Sequence, residues 1–173
     1  MKTTTQLLNI MKLLFWVIFI GLLINAGAIL YSYVVSITNP DSATSFYSGI
    51  DVSSLYQKSF WQYSCFISFW ATVAIMKAYL AYLVIQIVST IDLQKPFSKK
   101  LADPLIKMSH VALGIGFIAV LAQAYTKYLT KSGFELIHQW GAGQFLFLAA
   151  IIFIIAHIFK RGVELQEENE LQK

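Results

Sequence analysis

No aspartate or glutamate occurs in residues 13–35, 60–88, 105–128 or 140–159, although the chain carries nine acidic residues elsewhere. That absence excludes an acid–base carboxylate pair, a carboxylate metal site and a carboxylate proton relay from those stretches. Charge is scarce throughout, at 13% of 173 residues. Cysteine is scarcer still. The single Cys65 lies in an apolar run, which excludes an internal disulfide and the usual thiolate metal site and leaves it as a small hydrophobe. The histidines His110, His138 and His157 are scattered without ligand spacing, so no metal site is expected. Gly114-Ile115-Gly116 lacks the strand, third glycine and acidic residue of a dinucleotide fingerprint and reads as a packing feature. An enzyme is therefore not expected, nor a cofactor.

What the chain does have is apolar length. Hydrophobic residues make up 57% of it and the mean hydropathy is +0.63, both outside the range of soluble domains. About 20 apolar residues cross about 30 Å of hydrocarbon at 1.5 Å per residue. Four segments meet that requirement: residues 13–35, 60–88, 105–128 and 140–159. The first follows Lys2 and Lys12 and imitates a secretory signal, but its apolar run continues to Val35, longer than a signal core, so it reads as a retained span. The expected fold is all-α integral membrane, with four transmembrane helices in an antiparallel bundle.

Charge then reports orientation. Lys2, Lys12, Lys95, Lys99, Lys100, Lys107, Lys160, Arg161 and Lys173 fall on one side of the spans, and Lys58, Lys127 and Lys131 on the other. The positive-inside rule makes the first group cytoplasmic, so both termini are expected to face in and the loops 36–57 and 130–139 out. The net charge of +4 sits in short inter-span segments, which argues against direct binding of nucleic acid. The loop around Asn39-Pro40-Asp41 is expected to be a turn-rich connector, and Asp103-Pro104 to open the third helix as cap and first residue. Phe60, Trp61, Tyr63, Phe66 and Trp70, at the outer start of the second span, read as an interfacial aromatic cluster.

Within lipid, small residues at three- and four-residue spacing mark helix contact faces. The candidates are Gly21-Asn25-Ala28-Ser32, Ala71-Ala74-Ala78-Ala81, and Ser109-Ala112-Gly116-Ala119-Gln123-Thr126. The last span carries two rows, Ala142-Ala149-Ala156 and Gly143-Ala150-His157. Lys77 lies beside the second stripe and is the one formal charge deep in a span, where a lysine costs about 2.5 to 3.5 kcal/mol on insertion scales. It reads as a satisfied or snorkelling lysine, a ligand- or lipid-binding charge, or an oligomer contact. Asn25 lies at a matched depth, roughly 18 Å from the inner end, and is the expected hydrogen-bond partner. Gln123 with Gln144, and Gln86 with His157, form two further expected pairs. The alternative for His157 is a pH-sensitive group.

The transmembrane domain is expected over residues 1–163 and an acidic cytoplasmic tail over 164–173. In that tail Glu164, Glu167, Glu168 and Glu170 are repelled by anionic headgroups while Lys160 and Arg161 anchor to them. The bland reading is a solvated helix end, and the sharper one a peptide that docks on a basic protein surface. The run Ile158-Phe159-Lys160-Arg161-Gly162-Val163-Glu164-Leu165-Gln166-Glu167-Glu168-Asn169-Glu170-Leu171, together with Lys95-Pro96-Phe97-Ser98 and the span pattern, resembles the YoaS-like family of small bacterial membrane proteins, a domain of unknown function. That family commonly closes with Thr-Val where Gln172-Lys173 stands here. The resemblance implies the bacterial inner membrane, no catalytic residues, and a gene neighbour encoding a small helix-turn-helix DNA-binding regulator.

The expected function is a membrane-embedded regulatory or sensory partner of such a regulator, docking it through Lys95, Pro96, Phe97 and the tail glutamates. The alternative is an oligomeric transporter or channel subunit with a polar path around Lys77. The expected partners are thus the bilayer, the regulator and, on the alternative reading, further copies of the chain.

Overall fold

A computed structural model describes residues 2–47, 50–91, 98–134, 136 and 138–171, with side chains described from residue 6 to residue 168 within those ranges. Lys95, Pro96 and Phe97 lie outside the described residues, as does the side chain of Glu170. Among the described residues five α-helices follow in chain order: α1 (Lys2–Thr38), α2 (Ser53–Lys58), α3 (Phe60–Thr90), α4 (Lys99–Lys131) and α5 (Ala142–Leu171), with a 3-10 helix over Pro40–Ser45. Among the described residues there is no β-strand, only a single bridge between Phe46 and Ile50. Four of the helices, α1, α3, α4 and α5, are long and apolar enough to cross a membrane, the make-up of a multi-pass membrane protein.

Helix ends follow local chemistry. Ser59 caps α3 by accepting from the backbone N–H of Gln62 at 3.4 Å. Gly133, at φ +88°, ends α4 in a left-handed residue that lets the Phe134 N–H reach back to the Leu129 carbonyl. The start of α4 differs from expectation. The helix begins at Lys99 after Ser98, so Pro104 lies inside it and is not its first residue. The carbonyl that Pro104 cannot serve belongs to exposed Lys100, four residues earlier, where solvent or headgroups replace the missing donor.

Close backbone contact runs from α1 to α3, from α3 to α4 and from α4 to α5; among the described residues α1 and α5 do not meet. The core is concentrated at one end. The segment between α1 and α3, expected as a connector, is instead a folded cap whose Ala43, Phe46, Val52 and Leu55 are fully or almost fully buried. Phe66 and Tyr63 are core residues beneath it, while Trp61 at 82% exposure fits the expected interfacial role. Tyr63 donates to Ser36 Oγ at 2.6 Å, since that hydroxyl spends its own hydrogen on the Tyr33 carbonyl at 2.7 Å. Tyr33 in turn stacks on Tyr63 with centroids 5.7 Å apart and bonds Ser64 at 2.9 Å. Further along the bundle a smaller cluster of Ala112, Ala149 and Ile152 joins α4 to α5.

The alanine stripe of α3 is buried throughout, and Ala142, Ala149 and Ala156 form the buried row of α5. The parallel row Gly143-Ala150-His157 is exposed, because α5 turns a single narrow face to α4. On α1 the buried line is Ala26, Ile29 and Ser36, about one residue round from the expected stripe, and Gly21 has nothing near it. Gln123 is exposed and Ala122 takes its place in the α4 core.

Candidate functional site

Lys77 projects from the alanine face of α3 towards the first turn of α5, where its ammonium lies 5.2 Å from the centroid of the Phe145 ring. It borders a cavity of about 290 Å³ that α1, the cap, α3 and the segment before α5 enclose together. Asn25 and Tyr47 form one wall, and the Asn25 amide donates to the Tyr47 hydroxyl at 2.9 Å. Trp70, His138 and Trp140 form another: the imidazole ring sits 4.8 Å from Trp70 and 4.5 Å from Trp140, centroid to centroid.

Each wall is fixed from behind. The Trp140 indole N–H donates to the Thr126 hydroxyl at 2.9 Å, which donates to the Ala122 carbonyl at 2.8 Å, so the segment before α5 is pinned to α4. Gly141, at φ +69°, supplies the left-handed turn that carries the chain from Trp140 into α5; a β-carbon there would come within 2.6 Å of Gln144 Oε1. His138 is held below its ordinary pKa of 6.5, first by burial and then by the nearby Lys77 ammonium. Its ring is therefore neutral at pH 7, with one nitrogen free to accept a hydrogen bond.

The expected hydrogen bond between Asn25 and Lys77 is not formed. The two residues share the cavity, but the Asn25 side chain is turned to the cap, its Nδ2 donating to the Tyr47 hydroxyl, and its Oδ1, the atom that could accept from the ammonium, is not bonded to Lys77. The two other expected pairs also fail to form. Gln86 donates to Tyr82 within its own helix at 3.2 Å, and His157 bonds the Phe153 carbonyl at 3.1 Å. Gln123 and Gln144 face outward on their helices. Matched depth was not enough, because α3 and α5 are not backbone neighbours and Gln123 and Gln144 are both exposed.

At the far end of α5 the tail continues as helix, with no break at residue 163. Glu164 pairs with Arg161 at 3.0 Å and Glu167 with Lys99 at 2.9 Å, so two acids expected to await a basic partner are already held by the chain's own cations. Both pairs are largely exposed and contribute little to stability. Glu168 is exposed.

Tyr47, Trp70, His138, Gln139 and Trp140 escaped the sequence reading as cavity residues. The run His138-Gln139-Trp140-Gly141, polar and aromatic at the mouth of a span and closed by glycine, was the available signal.

A cation lodged between apolar helices and lined by aromatic rings and neutral amides attracts an anionic group and gives its apolar body a surface to lie on. Fold and site together define a multi-pass α-helical membrane protein with a polar cavity between its helices. The family model described as "Protein of unknown function (DUF2975)" matches residues 39–171, and the chain belongs to that family. The family expected from the tail and middle loop is thus the one matched, and the match takes in every cavity residue named above except Asn25. No curated protein and no solved structure matches the chain.

Proposed function

We propose that the chain is a membrane-embedded sensory partner of a small cytoplasmic helix-turn-helix regulator, taking a small anionic ligand at Lys77 and signalling through α5 to its inner loop and acidic tail. The observation that carries this reading is the environment of Lys77. No acidic side chain among the described residues lies within ion-pair distance of its ammonium, and its nearest marked contact is the Phe145 ring. A cation–π contact of about 0.5 to 2 kcal/mol offsets only part of the about 2.5 to 3.5 kcal/mol that a mid-span lysine costs. A carboxylate or phosphate group supplies the missing oxygen.

The output follows from continuity. Phe145 and Leu171 belong to one helix, about 39 Å end to end at 1.5 Å per residue. A ligand that draws Lys77 away from Phe145 changes what holds the first turn of α5, and the same rod carries Glu164, Glu167 and Glu168 at its other end. The pairing of Lys99 with Glu167 and of Ser36 with Tyr63 supports antiparallel neighbours. The lysine and arginine bias supports cytoplasmic termini, and the family resemblance a bacterial plasma membrane; that orientation puts the Lys77 cavity on the outer half.

Two measurements test the reading. In nanodiscs, a panel of short aliphatic and aromatic carboxylates should include members that raise the unfolding temperature of the wild type and not of Lys77→Met; protection that survives in Lys77→Met refutes the site. For the output, the regulator encoded beside the chain should be recovered by the wild type in a pull-down. Recovery should fall with rising salt, and it should be lost with Glu164→Gln, Glu167→Gln and Glu168→Gln combined; equal recovery by both refutes tail docking. A second reading, an oligomeric transporter or channel subunit, draws on the outward-facing Gln123, Gln144 and His157. A single copy per nanodisc rules it out.

A further inference from the structure

At the end of the molecule remote from Lys77, three lysines from two helices converge on one groove. Lys12 comes from α1, and Lys100 and Lys107 come from α4, while Tyr82, Gln86 and Ser89 of α3 form the floor of a space of about 620 Å³. Among the described residues α1 and α4 make no close backbone contact, so the groove is the gap that α3 leaves between them. Among the described residues Asp103 is the one acid on its wall, which leaves an excess of two positive charges among them. Lys99 is engaged with Glu167 and does not line it. The groove is also aromatic on its membrane side: the Trp16 ring packs against Phe19 with centroids 5.7 Å apart, and Phe19 against Tyr82 at 5.9 Å. Next to Trp16, α1 presents Leu13, Val17 and Ile20 outward as exposed apolar surface.

We propose that this groove binds the headgroup of an anionic phospholipid, with the phosphate between Lys12 and the two α4 lysines and the acyl chains along the exposed face of α1. Three features select a lipid over a soluble phosphate. The lysines stand at the ends of apolar runs, the depth at which headgroups lie. A basic pocket between transmembrane helices that adjoins an apolar wall matches both halves of a phospholipid. Trp16 and Tyr82, each an apolar ring with a polar edge, belong at the same headgroup level. The site is independent of the Lys77 cavity, and its loss leaves the sensory reading untouched.

The test is lipid retention by native mass spectrometry of the full chain, equilibrated with equal amounts of phosphatidylglycerol and phosphatidylcholine. Phosphatidylglycerol should be retained in preference by on the order of tenfold. Lys12→Gln combined with Lys107→Gln should abolish the preference. Lys160→Gln combined with Arg161→Gln removes the same charge at the same end of the bundle but outside the groove, and should keep it. Should the first pair fail to fold, Lys100→Gln alone must weaken the preference severalfold. Equal retention of both lipids, or equal loss in both double variants, overturns the site and reduces the effect to the general field of the leaflet. Inorganic phosphate that raises the unfolding temperature as far as phosphatidylglycerol does identifies a soluble phosphate ligand and overturns the lipid assignment.

Discussion

At Gly116 α4 and α5 come close together, and replacing it with alanine has a calculable effect. A β-carbon there would lie 2.7 Å from Leu146 Cδ2, 2.8 Å from its Cγ and 3.2 Å from its backbone nitrogen. Carbon atoms pack comfortably at about 3.5 to 4.0 Å, so Leu146 must retreat by about 0.8 Å or more. Its side chain can rotate, being partly exposed, but the backbone nitrogen moves only with α5. Overpacking of this kind costs about 1 to 3 kcal/mol. Alanine returns up to about 1 kcal/mol through its higher helix propensity. The expected net loss is therefore about 1 kcal/mol, read as a lower midpoint in detergent-titrated equilibrium unfolding. Gly21→Ala and Gly143→Ala provide the control, since neither site has an atom within 4 Å and each should be neutral or slightly stabilising. Leu146→Ala placed on the Gly116→Ala background should recover part of the loss, because it removes the crowding atoms. Phe145 adjoins Leu146, so the same displacement should weaken any carboxylate protection at Lys77. A Gly116→Ala midpoint equal to that of Gly143→Ala would sink the proposed α4–α5 packing.

A reporter active only in the cytoplasm should work when fused after Lys173 and fail within residues 41–48; activity at the latter reverses the topology. Lys77→Met should leave the unfolding midpoint unchanged or slightly raised, because a buried charge with only neutral partners contributes little net stability; a loss above about 2 kcal/mol contradicts that. Trp140→Phe removes the indole donor to Thr126 and should cost about 1 kcal/mol in the same assay, with an unchanged midpoint arguing that the segment before α5 is not pinned as described. His138 has a depressed pKa when folded, so the unfolded chain takes up its proton first. The stability it contributes should be complete above pH 6.5 and fall as pH drops through the folded pKa, and His138→Gln should flatten that dependence; an identical pH profile in the variant refutes the assignment.

The spans were legible because an apolar run of membrane length has few competing explanations. The alanine stripe of α3 was legible for a related reason: four alanines on one face of a helix rich in large residues mark a close approach. The cap between α1 and α3 was not legible. Phe46, Val52 and Leu55 follow no helical or strand period, and their burial depends on how α1 and α3 converge beneath them. The cavity was half legible. Asn25 and Lys77 stand out as polar residues in apolar surroundings. Trp70 and Trp140 did not, since an aromatic residue near a span end suits the membrane interface equally well. The polar pairs that failed to form show why depth alone does not identify a partner. A helix turns 100° per residue, so two side chains at one level can point in opposite directions.

The large interlocked side chains lie almost entirely at the end of the bundle that carries the cap, from Phe46 and Tyr63 through Trp70 to Trp140. Towards the opposite end the buried side chains are fewer and mostly aliphatic, among them Leu83, Val88, Leu101 and Val163, and the first half of α1 is mostly exposed. Resistance to local opening is therefore graded along the membrane normal. Amide protons beneath the cap should exchange only with global unfolding, while those towards Lys12 and Lys107 should open at a smaller cost. A chain built this way holds all its helices together at one leaflet and leaves the spacing of α1 at the other to be set by the surrounding lipid.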